Sequence, residues 1–315
     1  MPLPLVSAIV VNYNGAHLLP DCLDSLAAQE YPGLEVLVVD NASTDDSRAV
    51  VSRAPMARWI GLPENRGLGA GYNAGAHKAR GSLLFFLNND ISLEPGCVRN
   101  LVAAFKPGML AADPLQLDWE GARIIHGAQR FRWGWRYFLR PIPFMDPYQD
   151  TGTLQETAAP WGCCGALMFD RHKFEALEGF DPAFFIDYED LDLCWRGWLR
   201  GWETLFVPTA RLRHRVGASG ITARRQLSQH KNVQRVALKC MPPGIIAAVF
   251  LSGFSRAVAT ACRGRLSGSL LWLKAAASNL RELPKILRQR RQILREAATT
   301  PGALLKRWRR SWDAR

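Results

Sequence analysis

The chain of 315 residues lacks the patterns that mark several common classes of protein. Its seven cysteines form no CxxC pair and no zinc-ligand spacing, and their odd number fits no disulfide framework. We therefore expect reduced, mostly buried thiols, which are typical of a reducing compartment. The first four residues contain no basic group and predict no secretory signal, and no internal repeat is present. These absences disfavour disulfide-rich secreted proteins, zinc-binding modules and repeat proteins.

A long apolar run is also absent. Residues 240–255 carry no charge, but their continuous apolar part, residues 244–254, is only 11 residues long. A helix that spans a membrane needs about 20 such residues. The sequence therefore predicts no membrane-spanning segment.

Acidic residues are almost missing from the last third of the chain. From residue 211 onward there are 23 Lys and Arg against 3 Asp and Glu, a net charge of +20, whereas residues 1–210 carry a net charge of −8. Such asymmetry indicates a basic appendage with an anionic partner. Nucleic acid and an anionic membrane surface are both candidates.

The basic region contains two amphipathic helical patterns, in which apolar residues share one face and cations lie off it. This pattern suits the surface of an anionic membrane, and it also suits a basic helix packed on the rest of the protein. Nucleic-acid binding is less favoured, because the aromatics follow the apolar face and do not interleave with the cations. The apolar faces comprise Leu283, Ile286, Leu287, Ile293, Leu294 and Ala297, and then Leu304, Leu305, Trp308 and Trp312.

Four short apolar segments are present in the first hundred residues. They predict buried strands at residues 5–11, 35–39, 58–62 and 84–87. Apolar residues at helical spacing, as over residues 18–26, predict the connecting helices. Strands that alternate with helices indicate βαβ units and the parallel sheet of an α/β protein.

Two of these predicted strands end in carboxylates, Asp40 and Asp90. Ligands bind beyond the carboxyl ends of parallel strands, where one or two carboxylates and substrate phosphates commonly hold a divalent cation. Both acids also suit turns and helix caps. A dinucleotide site needs its glycine motif after the first strand, but that loop has one glycine, Gly15, and the glycine-rich residues 65–75 follow the third strand. A dehydrogenase-type NAD site is therefore disfavoured.

A second acidic segment, DYEDLDLCWR, occupies residues 187–196. The apolar periodicity that follows predicts a helix with Glu189 and Asp190 at its N-terminus, where the helix dipole favours negative charge. The alternative is a simple helix cap, with Asp192 and Arg196 as an i,i+4 ion pair. Upstream of this segment, residues 130–140 (RFRWGWRYFLR) interleave cations with aromatics. Stacked rings suit sugars and cations suit phosphates, so this stretch suits a ligand-binding flap, but also a nucleic-acid patch or a packed loop. We favour the flap.

The motifs SAIVVNYNG, VVDNASTDDS, PENRGLGAGYNAG and LFFLNND, with GFDPAFFIDYEDLDLCWR and RLRHRVGAS further on, resemble those of the family 2 glycosyltransferases. They are most similar to the rhamnosyltransferase-like bacterial branch. The resemblance covers residues 5 to about 220 and is weakest over residues 105–158. It implies an α/β fold of the GT-A class, a Rossmann-like mixed sheet flanked by helices, followed here by a basic helical C-terminal tail.

The resemblance also implies roles for individual residues. Tyr13 and Asp40 are expected to hold the base and ribose of the donor. The family's Asp-x-Asp metal motif falls on residues 88–90, where only Asp90 is acidic, and Asp90 with His214 is expected to bind Mg²⁺ or Mn²⁺. Asp190 is expected to deprotonate the acceptor. Other donor-binding residues are expected at Asn65, Gly67 and Asn73, and acceptor-side residues at Gly162, Gly165 and Glu189.

The sequence thus predicts an inverting transferase that moves a sugar from a dTDP-rhamnose or UDP-hexose type donor to a lipid-linked saccharide or cell-surface glycan precursor. A catalytic domain over residues 1–220, divided near residue 105 into nucleotide-sugar and acceptor halves, is expected to precede a membrane-associating region at residues 221–315. This places the protein in the cytoplasm on the inner face of the plasma membrane, without a nucleic-acid partner. A catalytically silent sugar- or polyanion-binding protein is the alternative, because the first acid of the metal motif is missing.

Overall fold

The computed structural model describes residues 3–128, 154–215, 223–262 and 266–313. The predicted flap at residues 130–140 lies outside the described residues. The strands are β1 (Val6–Asn12), β2 (Leu34–Asp40), β3 (Ala57–Gly61), β4 (Leu83–Asn88), β5 (Ile91–Leu93), β6 (Met109–Leu117), β7 (Ile124–His126), β8 (Thr157–Ala159), β9 (Ala166–Asp170) and β10 (Glu203–His214). Within the described residues they form one mixed sheet in the order β3-β2-β1-β4-β9-β6-β10-β5, with β7 paired to β6 and β8 to β10.

The first half of the sheet is parallel. Strand β1 lies between β2 and β4, with Asn12 opposite Asp40 and Val11 opposite Asn88, and β2 also pairs with β3. Both faces of the three inner strands are covered, which is why their sequences are continuous apolar runs. The four predicted strands are confirmed to within one residue at each end.

Hydrophobic cores cover both faces of the sheet. One core packs Leu23 and Leu101 of two helices on one face, and the other packs Tyr72 and Trp195 on the opposite face. The helices of this part of the chain are α1 (Leu19–Ala27), α2 (Ser47–Ser52), α3 (Leu68–Lys78), α4 (Cys97–Ala104), α5 (Arg171–Ala176) and α6 (Glu189–Leu199).

Antiparallel pairing extends the sheet in its second half. Strand β9 runs antiparallel to both β4 and β6, and β10 runs parallel to β6 and antiparallel to β5. The β10–β5 register puts His214 opposite Ile91, and the N–H of Arg215 donates to the carbonyl of Asp90 at 3.0 Å. This pairing brings the end of β10 against the loop that carries Asp90.

The C-terminal region is helical. Its first helix packs into the main core, since Val236 and Ala237 belong to the same apolar cluster as Trp195. The predicted boundary at residue 220 therefore does not separate two packing units, because this helix shares its core with the sheet. The helices are α7 (Ala223–Cys240), α8 (Pro243–Cys262), α9 (Leu266–Arg281), α10 (Leu283–Arg295) and α11 (Pro301–Asp313).

The amphipathic faces of α10 and α11 pack largely against the protein itself. Ile286 and Leu304 are 0% and 3% exposed, and the ring of Trp308 meets that of Trp198 edge-on at 4.9 Å between centroids. The prediction that these faces lie on lipid is wrong for the buried residues, because protein already covers their apolar surface. Across the described ranges, no helix is both long enough and apolar enough to cross a membrane.

Candidate active site

Polar side chains at the ends of β1, β2 and β4 form a connected network. The amide nitrogen of Asn12 donates to Oδ1 of Asp40 at 2.9 Å, and its amide oxygen accepts from Nδ2 of Asn89 at 2.7 Å. The second oxygen of Asp40 accepts from the backbone N–H of Ser43 at 2.8 Å. Asp40 is 4% exposed, so it anchors the loop after β2 and offers a ligand only a small part of its surface. Its predicted ribose contact stays a prediction.

The loop that follows β1 is tied to the loop that follows β2. Asn14 lies in the left-handed region with φ 50°, its N–H donates to Oγ of Ser43 at 2.8 Å, and its amide oxygen accepts from the N–H of Thr44 at 2.8 Å. The neighbouring ring of Tyr13 is left 52% exposed. This ring is free to stack on a nucleotide base, as predicted for it, although the structure does not test that role.

The glycine-rich loop contacts the second half of the chain. Gly67 has φ 87°, and a Cβ there would lie 2.2 Å from the carbonyl oxygen of Phe185, so only glycine fits. The N–H of Gly67 donates to Oδ1 of Asn65 at 3.0 Å. Asn73 donates to the carbonyl of Phe180 at 2.8 Å and accepts from its N–H at 3.0 Å. The polar groups and the close approach of these three residues serve the protein's own backbone, and their expected donor contacts stay predictions.

Two amides at the end of β4, Asn88 and Asn89, act as tethers, and Asn88 replaces the first acid of the family's Asp-x-Asp motif. Oδ1 of Asn88 lies 3.0 Å from the hydroxyl oxygen of Tyr72, and Nδ2 of Asn89 donates to Asn12. A carboxylate at position 89 has no proton to donate to the amide oxygen of Asn12. The loop therefore has a structural use for these amides, which leaves Asp90 as its metal-binding candidate.

Asp90 and His214 face each other at the sheet edge. Oδ1 of Asp90 lies 3.2 Å from Nε2 of His214, is buried, and has no hydrogen-bond partner among the described residues. Nδ1 of His214 lies 2.9 Å from Oε1 of Gln116. Because an amide oxygen only accepts, this contact assigns the ring proton to Nδ1 and leaves the lone pair of Nε2 facing Asp90.

This arrangement fits a divalent cation. A carboxylate oxygen and an imidazole nitrogen both point electron pairs at the space between them, which a cation would satisfy. Gln116 orients the His214 ring through its other nitrogen, as outer hydrogen bonds do in metal sites. The residues present therefore match the Mg²⁺ or Mn²⁺ site predicted at Asp90 and His214.

The peptide of Cys164 is bound from two sides. Its N–H donates to Oδ2 of Asp190 at 3.1 Å, and its carbonyl accepts from the hydroxyl of Tyr72 at 2.7 Å. Tyr72, which also bonds Asn88, therefore links the end of β4 to the loop that Asp190 contacts. No sequence pattern pointed to this role, since a tyrosine on the buried face of a helix is ordinarily a packing residue.

Two glycines, Gly162 and Gly165, let the loop at residues 162–165 approach Asp113 on one side and His214 on the other. A Cβ on Gly165 would lie 3.2 Å from the ring of His214, and a Cβ on Gly162 would lie 2.9 Å from the carboxyl carbon of Asp113. Residues 162–165 thus lie between Asp190 on one side and the Asp90–His214 pair on the other. The structure brings both predicted glycines to this junction, and their contact with an acceptor stays a prediction.

Glu189 and Asp190 are the first two residues of α6. Burial raises the pKa of Asp190 to about 6, although the N–H groups of Cys164 and Leu191 lower it. Burial and the neighbouring Asp190 raise the pKa of Glu189 well above its ordinary value. Glu189 is 3% exposed, and its Oε2 lacks a hydrogen-bond partner in the described part of the chain. The N–H groups that bond Asp190 favour negative charge on Asp190 over negative charge on Glu189.

A second cluster of possible metal ligands surrounds Asp190. The thiol of Cys164 and the carboxyls of Glu189 and Asp190 lie within 4.8 Å of one another. Burial raises the pKa of Cys164 well above its ordinary value, so the thiol stays neutral. A neutral thiol and a carboxyl whose charged form is disfavoured by burial attract a cation weakly, which makes this cluster less suitable than Asp90 and His214.

The backbone before α6 is strained and held from outside. Asp187 and Tyr188 have φ 68° and 73°, in a region that costs a non-glycine residue about 1 kcal/mol or more. Arg225 of α7 binds the carboxylate of Asp187 through two nitrogens at 3.0 and 2.9 Å. Asn232 donates to the carbonyls of Ile186 and Asp187 at 2.9 and 2.8 Å. Helix α7 thereby fixes the turn that presents Glu189 and Asp190.

Buried charges join the same segment to α7. Nζ of Lys239 lies 2.9 Å from Asp181 and 2.7 Å from Asp192, and all three residues are almost fully buried. The predicted ion pair of Asp192 and Arg196 is confirmed at 2.9 Å. Although burial raises it, the pKa of Asp181 is held well below its usual range by Lys239 and Arg235. These ions are partnered on all sides and belong to the support of the site.

One further supporting pair escaped the sequence analysis. Oδ2 of the fully buried Asp113 lies 2.9 Å from Nε2 of His126, and its Oδ1 accepts from the N–H of Cys163 at 3.1 Å. Burial raises the pKa of Asp113, and His126 lowers it in part. The pair holds the loop at residues 162–165 from the side of β6 and β7. Both residues lie between residues 105 and 158, where the resemblance to the family is weakest and where no sequence motif singled them out.

The sequence profile of glycosyl transferase family 2 matches residues 7–175, which is more than half of the chain. The succinoglycan biosynthesis protein ExoO of Rhizobium meliloti is 34% identical over 136 residues, which cover 41% of this chain and 39% of that protein. The chain therefore spans well under two thirds of that relative. The N-acetylglucosaminyl-diphospho-decaprenol L-rhamnosyltransferase of Mycobacterium tuberculosis is 28% identical over 250 residues, which cover 72% of this chain and 81% of that enzyme.

Solved structures resemble the fold. The mannosyltransferase PcManGT of Pyrobaculum calidifontis, solved with GDP-Man and Mn²⁺, superposes with a TM-score of 0.58 at 20% identity, covering 94% of this chain and 86% of that chain. The likeness confirms the predicted GT-A class, a mixed sheet flanked by helices, and the helical C-terminal region is present. With the family profile matched over its strand-end motifs, the chain belongs to glycosyl transferase family 2 and is similar to its rhamnosyltransferase-like members.

Proposed function

We propose that this protein is an inverting glycosyltransferase that moves a hexosyl or rhamnosyl group from a nucleoside-diphosphate sugar to a hydroxyl of a glycan precursor. The observation that carries the proposal is the position of residues 162–165, with Cys164 bonded to Asp190 and Gly165 packed against His214 beside Asp90. A base and a cation site for the donor diphosphate thus flank one loop. Acceptor activation and leaving-group stabilisation need two such groups near the reacting carbon.

Asp190 accepts the proton of the acceptor hydroxyl. Its pKa of about 6 leaves it ionised at neutral pH, yet basic enough to assist the attack. The acceptor oxygen bonds the anomeric carbon while the bond from that carbon to the diphosphate oxygen breaks. The nucleoside diphosphate leaves with the electron pair, and the proton moves to Asp190. One displacement inverts the anomeric centre.

The donor side is assigned to the other strand ends. Tyr13 is proposed to stack on the base and Asp40 to bind the ribose, with their loops tied together as described above. A divalent cation held by Asp90 and His214 would supply positive charge that offsets the charge developing on the leaving diphosphate. The Mn²⁺ bound in the mannosyltransferase structure supports Mg²⁺ or Mn²⁺.

The finer substrate assignment rests on the relatives. We propose a dTDP-rhamnose or UDP-hexose donor and a lipid-linked saccharide acceptor. The name of the mycobacterial enzyme, an N-acetylglucosaminyl-diphospho-decaprenol L-rhamnosyltransferase, supports the rhamnosyl group and the lipid-linked acceptor. The succinoglycan relative supports a role in cell-envelope polysaccharide biosynthesis. We place the protein in the cytoplasm on the inner face of the plasma membrane, with no nucleic-acid partner. The unpaired thiols and the basic C-terminal region support this placement.

A catalytically silent sugar-binding protein is the second candidate. Asn88 stands where the metal motif has its first acid, and the amides of Asn88 and Asn89 are both engaged in tethers. A site that has lost its cation would still bind a sugar or a polyanion through the same strand ends.

A donor panel separates the two candidates. We expect one class among UDP-, dTDP- and GDP-sugars to release its nucleoside diphosphate with Mg²⁺ or Mn²⁺ and not with EDTA. Asp90→Ala should abolish this release and weaken Mn²⁺ binding in calorimetry, because the loop loses its carboxylate ligand. Asp24→Ala, on the exposed side of α1, serves as the matched control. Binding of a donor without release, for every donor and both cations, would establish the silent binder instead.

A further inference from the structure

Large apolar side chains are exposed on two C-terminal helices, α8 and α9, for which the sequence predicted no amphipathic face. Of the large apolar side chains that are exposed in the described residues, six lie on α8 and α9, and together they define the α8–α9 face. On α8 they are Leu251, Phe254 and Val258, at 69%, 54% and 46% exposed, and on α9 Leu270, Leu273 and Leu280, at 52%, 47% and 67%.

The face belongs to a well-packed helical pair. The inner sides of the two helices are covered, with Val249 1% and Ala275 0% exposed. A Cβ on Gly253 would lie 2.0 Å from the indole nitrogen of Trp272, so the helices approach closely at this point. Asn279 of α9 donates to the carbonyl of Lys231 of α7 at 2.9 Å. The exposed side chains are thus held on the outer side of an ordered structure.

Charge selects the occupant of this face. Residues 243–281 contain five Lys and Arg and no Asp or Glu, and Lys274 and Arg281 are exposed on α9. A second copy of the chain would bring these cations against their own kind. A nucleic acid would satisfy the cations but leave the aliphatic side chains in water. An anionic bilayer satisfies both, because its headgroups attract the cations and its acyl boundary takes up the leucines and phenylalanine.

We propose that the α8–α9 face docks this protein onto an anionic lipid bilayer, with the helices lying in the interface. The inference rests on the proposed function in one respect only: the proposed acceptor, a lipid-linked saccharide, would be presented at this membrane surface. Helix α7 connects the two sites, since it bonds α9 through Asn279 and the turn before Asp190 through Arg225 and Asn232. Helix α7 therefore contacts both α9, which carries part of the docking surface, and the turn that precedes Asp190.

The test is co-sedimentation of the full-length chain with vesicles of phosphatidylcholine alone or mixed with phosphatidylglycerol. The variant Leu251→Ser/Phe254→Ser/Leu273→Ser removes apolar groups from the face and keeps every charge. The matched control is Leu287→Ser/Leu294→Ser on α10, whose side chains are 39% and 36% exposed. Wild type and control should bind the mixed vesicles, and the triple variant should bind about a hundredfold more weakly, because three apolar groups no longer enter the bilayer.

Donor release in solution is measured in the same preparations, to show that each variant is folded and to keep the two proposals apart. Equal vesicle binding by the triple variant, or equal loss in the control, would overturn the docking surface. A different result would also overturn the docking surface: wild type does not bind anionic vesicles but forms a dimer, and the triple variant does not form that dimer. The face would then be assigned to a second copy of the chain. Absent donor release from all three proteins, with vesicle binding as expected, would count against the proposed function alone.

Discussion

The donor-side strand ends and the segment at residues 179–196 are built in different ways. On the donor side, Asn12 and Asp40 contact each other because they are direct partners in the parallel register of β1 and β2. In the segment at residues 179–196, the stabilising partners come from α7, where Lys239 binds Asp181 and Arg225 binds Asp187. The first arrangement follows from the sheet, and the second needs a helix far along the chain.

This difference shows that α7 belongs to the same structural unit as the segment that contains Asp190. The basic C-terminal region as a whole has the composition of an appendage, yet its first helix places two cations, Arg235 and Lys239, in the protein interior. Buried ions are costly unless paired, so these two are tolerated only because Asp181 and Asp192 face them. Changes in α7 should therefore affect Asp190 and spare the donor side, whereas changes at the strand ends should do the reverse.

The largest effect is expected from removing the central cation of the buried network. Lys239→Met leaves Asp181 and Asp192 short of a partner, and should lower the free energy of unfolding by about 3–5 kcal/mol. Denaturant unfolding measures this loss. Lys274→Met, an exposed lysine on α9, should change it by no more than about 0.5 kcal/mol. Equal effects of the two substitutions would contradict the structural role of the network.

Asp40→Ala should act on the donor side alone. Loss of the carboxylate that is proposed to bind the ribose should weaken nucleoside-diphosphate binding by about ten- to a hundredfold, since hydrogen bonds to charged groups contribute roughly 1.5–3 kcal/mol. Calorimetry with free nucleoside diphosphate gives the Kd. Ser43→Ala, which removes a loop tether and keeps the carboxylate, is the control. If both variants lose the same affinity, Asp40 acts only through the loop.

The pH dependence of transfer should report the acceptor side. Because burial raises the pKa of Asp190 to about 6, the carboxylate becomes protonated as the pH falls through that value. At saturating donor, kcat should then fall about tenfold per pH unit below the pKa and level off above it. Donor Kd measured over the same range should not follow this curve. A kcat that is flat between pH 5 and 8 (roughly one unit below and two above this pKa) would rule out Asp190 as the titrating base.

The smallest effect is expected where α7 holds the strained turn. Arg225→Gln weakens the clamp on Asp187, and we expect a roughly tenfold lower kcat with little change in donor Kd, because a slight shift of Asp190 affects proton transfer alone. A double-mutant cycle with Asp187→Asn should be non-additive, since the two residues act on one contact. Additive losses, or a change confined to donor Kd, would show that the two residues do not position Asp190 together.

The sequence was sufficient for features that depend on local patterns. The apolar runs located four strands within one residue, and acids at strand ends located Asp40 and Asp90, because parallel strands align their carboxyl ends. The resemblance to the family added His214, which the β10–β5 pairing brings against Asp90. The sequence did not show that both polar groups of the Asn73 amide bond the backbone of Phe180, and the expected donor contact of Asn73 stays a prediction.

Other features depend on contacts that no local pattern carries. Lys239 lies in a strongly basic helix, where a lysine is ordinarily expected to be exposed to solvent. Its burial depends on Asp181 and Asp192, which belong to another segment of the chain. The amphipathic pattern of α10 was correct, but periodicity shows that a face is apolar and does not show what covers it. The exposed residues of α8, such as Leu251, were hidden for the converse reason, because a uniformly apolar stretch has no marked face.

The most direct test of the account is the transfer rate of Asp190→Asn at saturating donor, measured beside Glu189→Gln. The first substitution keeps the shape of the side chain and removes the base, so kcat should fall by about 10²–10⁴-fold while donor Kd stays unchanged. Glu189→Gln should have a far smaller effect, because burial raises the pKa of Glu189 well above its ordinary value and so disfavours the carboxylate form that a base needs. Transfer by Asp190→Asn within about tenfold of wild type, with Glu189→Gln inactive, would show that the base is the other carboxyl.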